Sequence, residues 1–156
     1  MAETIEMFMS PPEHVTLPSE FSTELIGYVQ GGFFARKDHP LTRIKKNFEI
    51  KDIFKYPYVL ARESILHKRF AQNGNLFICE NDAVLFELVE TSDAICVSTL
   101  QSAAEWLKSD RLTQLQPLDF HFEQSEVLAV SIRGRTLSPM AREVIGICRK
   151  YLAHSS

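Results

Sequence analysis

Arg133-Gly134-Arg135-Thr136-Leu137-Ser138-Pro139, running into Met140–Leu152, is the stretch on which the fold turns. Ser138 is a good helix N-cap, because its hydroxyl can accept one of the orphan N–H groups of a first turn. Pro139 suits the first helical position, where no N–H is needed and its fixed φ already matches a helix. Beyond it, Met140, Val144, Ile147, Cys148, Tyr151 and Leu152 recur at helical spacing and predict one apolar stripe facing a core. Just before the turn, Val127-Leu128-Ala129-Val130 reads as a strand. The chain therefore closes on a strand, a short basic turn and a capped helix.

Working back from there, Val127–Ile132 is the last strand, Asp119–Ser125 a polar loop and Leu112–Leu118 an extended segment. Ser98-x-x-Gln101 makes a capping box that opens a helix to about Ser109. Ala94–Val97, Asn75–Cys79 and Tyr58–Ala61 are apolar strands, separated by helices predicted over Asp82–Glu90 and Ser64–Asn73. Asn81 or Asp82 caps the first of these and Ser64 the second, with Gly74 as its stop. A short helix over Ile50–Lys55 ends before Tyr56-Pro57. Leu41–Phe48 is a polar connection and Arg36–Pro40 a turn. Upstream, Phe33–Ala35 and Leu25–Val29 flank Gln30-Gly31-Gly32, a permissive stretch suited to a bend or crossover. Glu13–Thr23 reads as loop, and Thr4–Met9 as a short strand closed by Pro11-Pro12.

Strands and helices alternate, and the strands are apolar runs rather than in-and-out alternations. That combination predicts an α/β fold, a mainly parallel sheet with helices on both faces. The length of 156 residues suits one domain's core. Apolar and charged fractions of 45% and 24% are those of an ordinary globular protein. A net charge of −3, with Arg43, Lys45, Lys46 and Lys51 the nearest thing to a basic cluster, argues against a chain that grips nucleic acid by itself. Cys79, Cys96 and Cys148 lie far apart in apolar runs, without zinc spacing, and read as buried thiols of a reducing compartment. No signal peptide or membrane span is legible, so the expected setting is cytoplasmic.

Three strand-to-helix junctions carry the candidate chemistry: Ala61-Arg62-Glu63-Ser64, Cys79-Glu80-Asn81-Asp82 and Val97-Ser98-Thr99. In a parallel sheet they converge on the edge where the strands' carboxyl ends lie, the usual ligand crevice of open α/β sheets. Each also presents a helix N-terminus, whose free N–H groups and dipole favour a small polar or anionic ligand. Helix capping alone explains Ser64, Asn81, Ser98 and Thr99 taken singly; their convergence is what points to binding. Catalysis has no comparable support. There is no nucleophile elbow, glycine-rich phosphate loop or metalloprotease helix, and no cofactor or metal is implied. His14, His39, His67, His121 and His154 are scattered and read as satisfied or exposed. Trp106 lies at the margin of a core stripe made by Leu100, Ala103, Ala104 and Leu107.

In their order, the motifs resemble the effector-binding domain of LysR-type transcriptional regulators. Phe33–Leu41 is similar to that family's strand and His-Pro-Leu turn, and Asp52–Val59 to its short helix, Tyr-Pro step and strand. Leu88-Val89 with Ala94–Ser98 matches the next helix and strand. Asp110-Arg111-Leu112 stands where the family usually has glycine, a basic residue and leucine. The closing Arg-Gly-Arg-Thr-Leu-Ser-Pro completes the series. The family commonly places glycines within the stretch filled here by Ser92–Val97, and proline where Thr99 stands; the helix ending near Thr91 must therefore close without glycine.

The resemblance implies two subdomains of the type II periplasmic-binding-protein kind, with an effector held in the cleft between them. On that basis 33–130 is the second effector-binding subdomain, and 1–32 with 131–156 are remnants of the first. Ala61, Arg62, Glu63, Ser64, Asn81, Ser98 and Thr99 would line the pocket half. The function implied is small-molecule sensing without catalysis, by a homo-oligomer that reaches DNA only through a winged helix-turn-helix this sequence lacks. Two other readings remain open here: a free-standing solute-binding module and a small α/β enzyme. The terminal helix, short of the sheet it would normally cover, is expected to self-associate or to have Thr4–Met9 dock beside the last strand.

Overall fold

A computed structural model of the protein describes residues 5–12, 16–44, 47–61 and 76–153. The described chain forms two compact units, 30–123 and 1–29 with 124–156, against the sequence-based bounds of 33–130 and 1–32 with 131–156. The helix expected over Ser64–Asn73 lies outside the described residues.

The larger unit, 30–123, is built on a mixed sheet. Strand β3 (Tyr58–Leu60) pairs in parallel with β4 (Leu76–Ile78) on one side and with the central strand β5 (Ile95–Thr99) on the other. The long strand β2 (Phe21–Arg36) enters the unit at Gln30 and runs antiparallel to β5 and to β6 (Leu112–Leu115). The expected α/β class holds, but the expectation of a mainly parallel sheet holds only for β4-β3-β5. The reason is β2, whose apolar runs look the same in either direction because both faces are covered.

Gln30-Gly31-Gly32 is not a bend. Strand pairing continues through it, with Gly31 opposite Thr99 and Gly32 opposite Ser98. The glycines serve close approach: a Cβ on Gly31 would lie 2.6 Å from the Phe122 ring, and one on Gly32 2.7 Å from the ring of Phe34.

Apolar side chains bury both faces of this sheet. On one, Phe33, Ala35, Leu41, Ile53, Tyr58, Ile95 and Leu115 gather under the short helices α1 (Pro40–Arg43) and α2 (Ile50–Ile53). On the other, Phe34, Val59 and Cys96 pack with Leu85, Phe86 and Val89 of α3 (Asp82–Glu90) and Ala103 of α4 (Leu100–Lys108). The segment read as a polar loop after β6 is anchored by aromatics: Phe120 and Phe122 stand 5.6 and 4.8 Å from Phe33, ring centre to ring centre. Alternation hid this, because each phenylalanine is flanked by polar residues. Trp106 is half-buried at the margin of α4's stripe, with Arg111's guanidinium stacked 3.8 Å above it.

Several local predictions acquire atoms here. His39 caps α1, its Nδ1 accepting the Leu41 N–H at 3.1 Å, while Leu41 is buried behind Pro40. The ring is fully buried, and its Nε2 lies 3.2 Å from the Asp93 carbonyl. Because Nδ1 accepts, Nε2 carries the proton and donates, so the imidazole is neutral. Desolvation holds its pKa below the ordinary value. Helix α3 ends without glycine, as its sequence demands. Thr91 Oγ1 donates to the Glu87 carbonyl at 2.9 Å and Ser92 Oγ to that of Leu88 at 2.7 Å, so hydroxyls satisfy the last carbonyls. Asp110, at the family's glycine position, adopts φ 58°. That left-handed conformation is the one glycine reaches without cost.

The smaller unit holds β1 (Met7–Ser10), β7 (Gln124–Ile132) and the first part of β2, in the order β1-β7-β2. Met7 pairs antiparallel with Ser131 and Met9 with Ala129, the docking of the N-terminal strand expected from sequence. Helix α5 (Pro139–Ala153) starts as predicted, Ser138 Oγ accepting the Ala141 N–H at 3.1 Å. Glu6 adds a clasp that the sequence did not reveal. Its carboxylate accepts from both the Ser138 hydroxyl, at 2.8 Å, and the Ser138 N–H, and these bonds lower its pKa.

The stripe predicted on α5 is only partly the buried one. Ala141, Ile145 and Leu152 are buried and Cys148 packs beside them, whereas Met140, Val144, Ile147 and Tyr151 are exposed. Of the three cysteines, all free thiols, only Cys96 is fully buried; Cys79 and Cys148 are partly so.

Candidate functional site

The parallel register sets the three junctions side by side. Leu60 lies opposite both Ile78 and Val97, so the next residues, Ala61, Cys79 and Ser98, form one row at the carboxyl edge of β3, β4 and β5. The Cys79 N–H donates to the Leu60 carbonyl at 2.9 Å, extending the pairing to that row. Asn81 follows two residues on. Ala61, Ser98 and Thr99 are partly exposed and Asn81 is exposed. Arg62, Glu63 and Ser64 lie outside the described residues, so the structure places four of the seven expected lining residues.

Two of those four are committed to their helices. Asn81 caps α3, its side-chain oxygen accepting the Val84 N–H at 3.1 Å. Thr99 caps α4, its hydroxyl oxygen accepting the Ser102 N–H at 3.1 Å. The capping box expected at Ser98 therefore does not form, and the N-cap falls one residue later. Thr99, with φ −92° and ψ 153°, already holds the extended backbone that an N-cap needs. The displacement leaves the Ser98 hydroxyl without a hydrogen-bond partner among the described residues. Gln101, one of two buried polar residues among those described, has its Oε1 accepting the Gln30 N–H at 3.4 Å.

Beside this edge is a set of residues that the sequence reading left out. Gly31 and Gly32, register partners of Thr99 and Ser98, line a pocket of about 230 Å³ with Phe33, Gln114, Phe120 and Phe122. Gln30 borders it and donates from Nε2 to the Phe122 carbonyl at 2.7 Å. Only the glycine pair hinted at it, since two adjacent glycines in an apolar strand mark a place where other groups approach closely.

The arrangement offers hydroxyl, amide and helix-terminal N–H groups at a sheet edge, which suits recognition of a small polar molecule, and the described residues supply no nucleophile–base pair. Against that geometry, residues 7–153 match the model of the LysR substrate-binding domain. The chain belongs to that family. Its fold is shared with the regulatory domain of MetR from N. meningitidis (14% identity, TM-score 0.70, covering 96% of this chain and 71% of that one). It is shared also with the Synechocystis CcmR regulatory domain in complex with 2-PG (15% identity, TM-score 0.67, covering 97% and 74%). HinK, a LysR-family transcriptional regulator from Pseudomonas aeruginosa, matches at 13% identity and a TM-score of 0.64, covering 94% of this chain and 52% of that one. The chain thus spans about half the length of some regulators it resembles. A comparison with curated protein sequences found no match. As a LysR substrate-binding domain it has a mixed α/β fold of the type II periplasmic-binding-protein kind. No helix among the described residues is long and apolar enough to cross a membrane.

Proposed function

We propose that this chain is the sensing part of a LysR-type regulator and binds a small polar or anionic effector, non-catalytically, at the carboxyl edge of β3, β4 and β5. The observation that carries the reading is Ser98: a partly exposed hydroxyl, beside Ala61 in the strand register, that no helix uses as a cap. Next to it the first turn of α4 offers N–H groups and the positive end of a helix dipole. Asn81 and Thr99 shape the pocket while holding their helices. Arg62, Glu63 and Ser64 complete it, Arg62 supplying the charge that an anion needs. In this reading 33–130 acts as the second effector-binding subdomain, and 1–32 with 131–156 as part of the first. The setting is the cytoplasm, the working form is a homo-oligomer, and contact with DNA falls to a helix-turn-helix outside this sequence.

The CcmR domain's ligand makes 2-PG the first compound to try, followed by a panel of small carboxylates and phosphates. A ligand that binds the native state raises the melting temperature in proportion to ln(1 + [L]/Kd). We expect one class of small anions to do so, and Ser98→Val to abolish the response while leaving the unliganded melting temperature unchanged. An undiminished response in Ser98→Val would reject the site. Sequence-specific retardation of promoter DNA by the 156-residue chain would reject the division of labour.

A further inference from the structure

We propose that the pocket behind Gly31-Gly32 is a second ligand site, separate from the carboxyl edge, for a neutral planar ring bearing an amide edge. That is the chemistry of a nucleobase or a heteroaromatic carboxamide. The two sites lie on opposite edges of β2. One edge of its Gly31–Phe34 segment pairs with β5, where Ser98 and Thr99 stand. The other edge faces β6, which pairs only over Phe33–Arg36.

The pocket exists because the chain leaves that edge and is held off it. β6 ends at Leu115, and two residues on Pro117 has no N–H with which to continue the pairing. The loop that follows is tied elsewhere. The Leu118 N–H donates to the Phe48 carbonyl at 3.0 Å, and the Asp119 carboxylate accepts the Ile50 N–H at 2.7 Å. The chain returns at Phe122, whose carbonyl accepts from Gln30 Nε2 at 2.7 Å. Neither glycine has a side chain to fill the gap under this arch, so about 230 Å³ stays open. Anchored at both ends, the space is preorganised for a ligand.

The walls choose that ligand. Phe33, Phe120 and Phe122 supply ring surfaces, the last two meeting edge to face with centres 5.0 Å apart, and a flat apolar body packs against them. The Gln114 amide lies against Gly32, its Nε2 3.3 Å from where a Cβ would stand. Its Oε1 accepts from Gln116 Nε2 at 3.5 Å. That leaves Gln114 Nε2 as a donor and Gln116 Oε1 as an acceptor, neither with a partner among the described residues. An amide edge offers the matching acceptor and donor. No Asp, Glu, Lys or Arg among the described residues lines the pocket. A charged ligand would shed water there with no counter-charge to replace it, so the occupant is neutral.

Amide-resolved NMR on the 156-residue chain, titrated with nicotinamide and with hypoxanthine, tests the site. We expect at least one of these neutral probes, at millimolar concentration or below, to shift the signals of Gly31, Gly32 and the Gln114 side chain. Nicotinate, the same ring as nicotinamide with a carboxylate, should act on these signals on the order of tenfold more weakly. Gln114→Leu should weaken the neutral probe on the order of fivefold by removing its donor. Gln116→Leu, at an exposed position, should weaken it similarly and covers the case in which the first variant misfolds. Ser98→Val, across β2, should leave the affinity unchanged. The proposal is overturned if neither neutral probe shifts these signals, if nicotinate binds as tightly there, or if the folded glutamine variants keep wild-type affinity. Loss of the response in Ser98→Val would merge the two sites and overturn it too.

Discussion

The two units solve the same problem with different completeness. In 30–123 the sheet is covered on both faces, and the largest fully buried side chains of the described residues, all but Val130, belong to it. Among its described residues, the unit made of 1–29 and 124–156 has one helix over three strands. Its core of Ile26, Ala129, Ile145 and Leu152 is small, while four large apolar residues of that helix face outward. Covering both faces multiplies buried apolar area per residue, so the first unit should hold its structure unaided and the second should depend on local clasps.

The largest test of that contrast removes core volume from each side. Phe34→Ala should cost about 3–5 kcal/mol, since the ring is sealed in the larger unit. Ile145→Ala should fall at the lower end of about 2–5 kcal/mol, because its surroundings can relax. Urea midpoints measure both; equal losses would remove the contrast. Ser138→Ala, which takes away the cap of α5, should cost about 0.5–2 kcal/mol. Hydrogen exchange should show the opening confined to the smaller unit, and an opening that spreads into β3 and β5 would mean the units unfold as one. Gly134→Ala should cost about 1–2 kcal/mol. Its φ of 76° is left-handed, and an added Cβ would meet no atom within 4 Å, so the loss is backbone strain alone.

The smallest effect is a pH dependence belonging to the larger unit. His39 is favoured in its neutral form when folded, so its pKa lies below the ordinary 6.5. Its contribution to stability is then complete above pH about 6.5 and is lost as the pH falls through the folded-state value. Denaturant midpoints between pH 7.5 and 5 should decline in the wild type and flatten in His39→Asn, which keeps a capping oxygen. A decline of equal slope in both would assign the dependence elsewhere.

Much of this architecture could be read from the residues. The start of α5 was legible because Ser138-Pro139 is a local device, and α3 because Asn81 caps it from the adjacent position. Strand direction was not, since β2 is apolar on both faces whichever way it runs. The exposed stripe was also misjudged: two apolar rows one residue apart give the same helical period, and only the packing tells which one faces inward. At the site, three converging junctions were foreseen, but the choice between Ser98 and Thr99 as the cap was not. Adjacent hydroxyls look equivalent until backbone dihedrals select one. Phe122 and Gln30 were missed because their partnership spans 92 residues of chain.

That one-residue choice has a consequence for how such a sensor changes over generations. Because Thr99 carries the helix and Ser98 does not, substitutions at position 98 are close to neutral for folding. Under the proposed function, chemical taste is thereby uncoupled from structural survival. A lineage carrying this arrangement would then sample new ligands at position 98 through viable intermediates, whereas the neighbouring position is held fixed by its capping of α4.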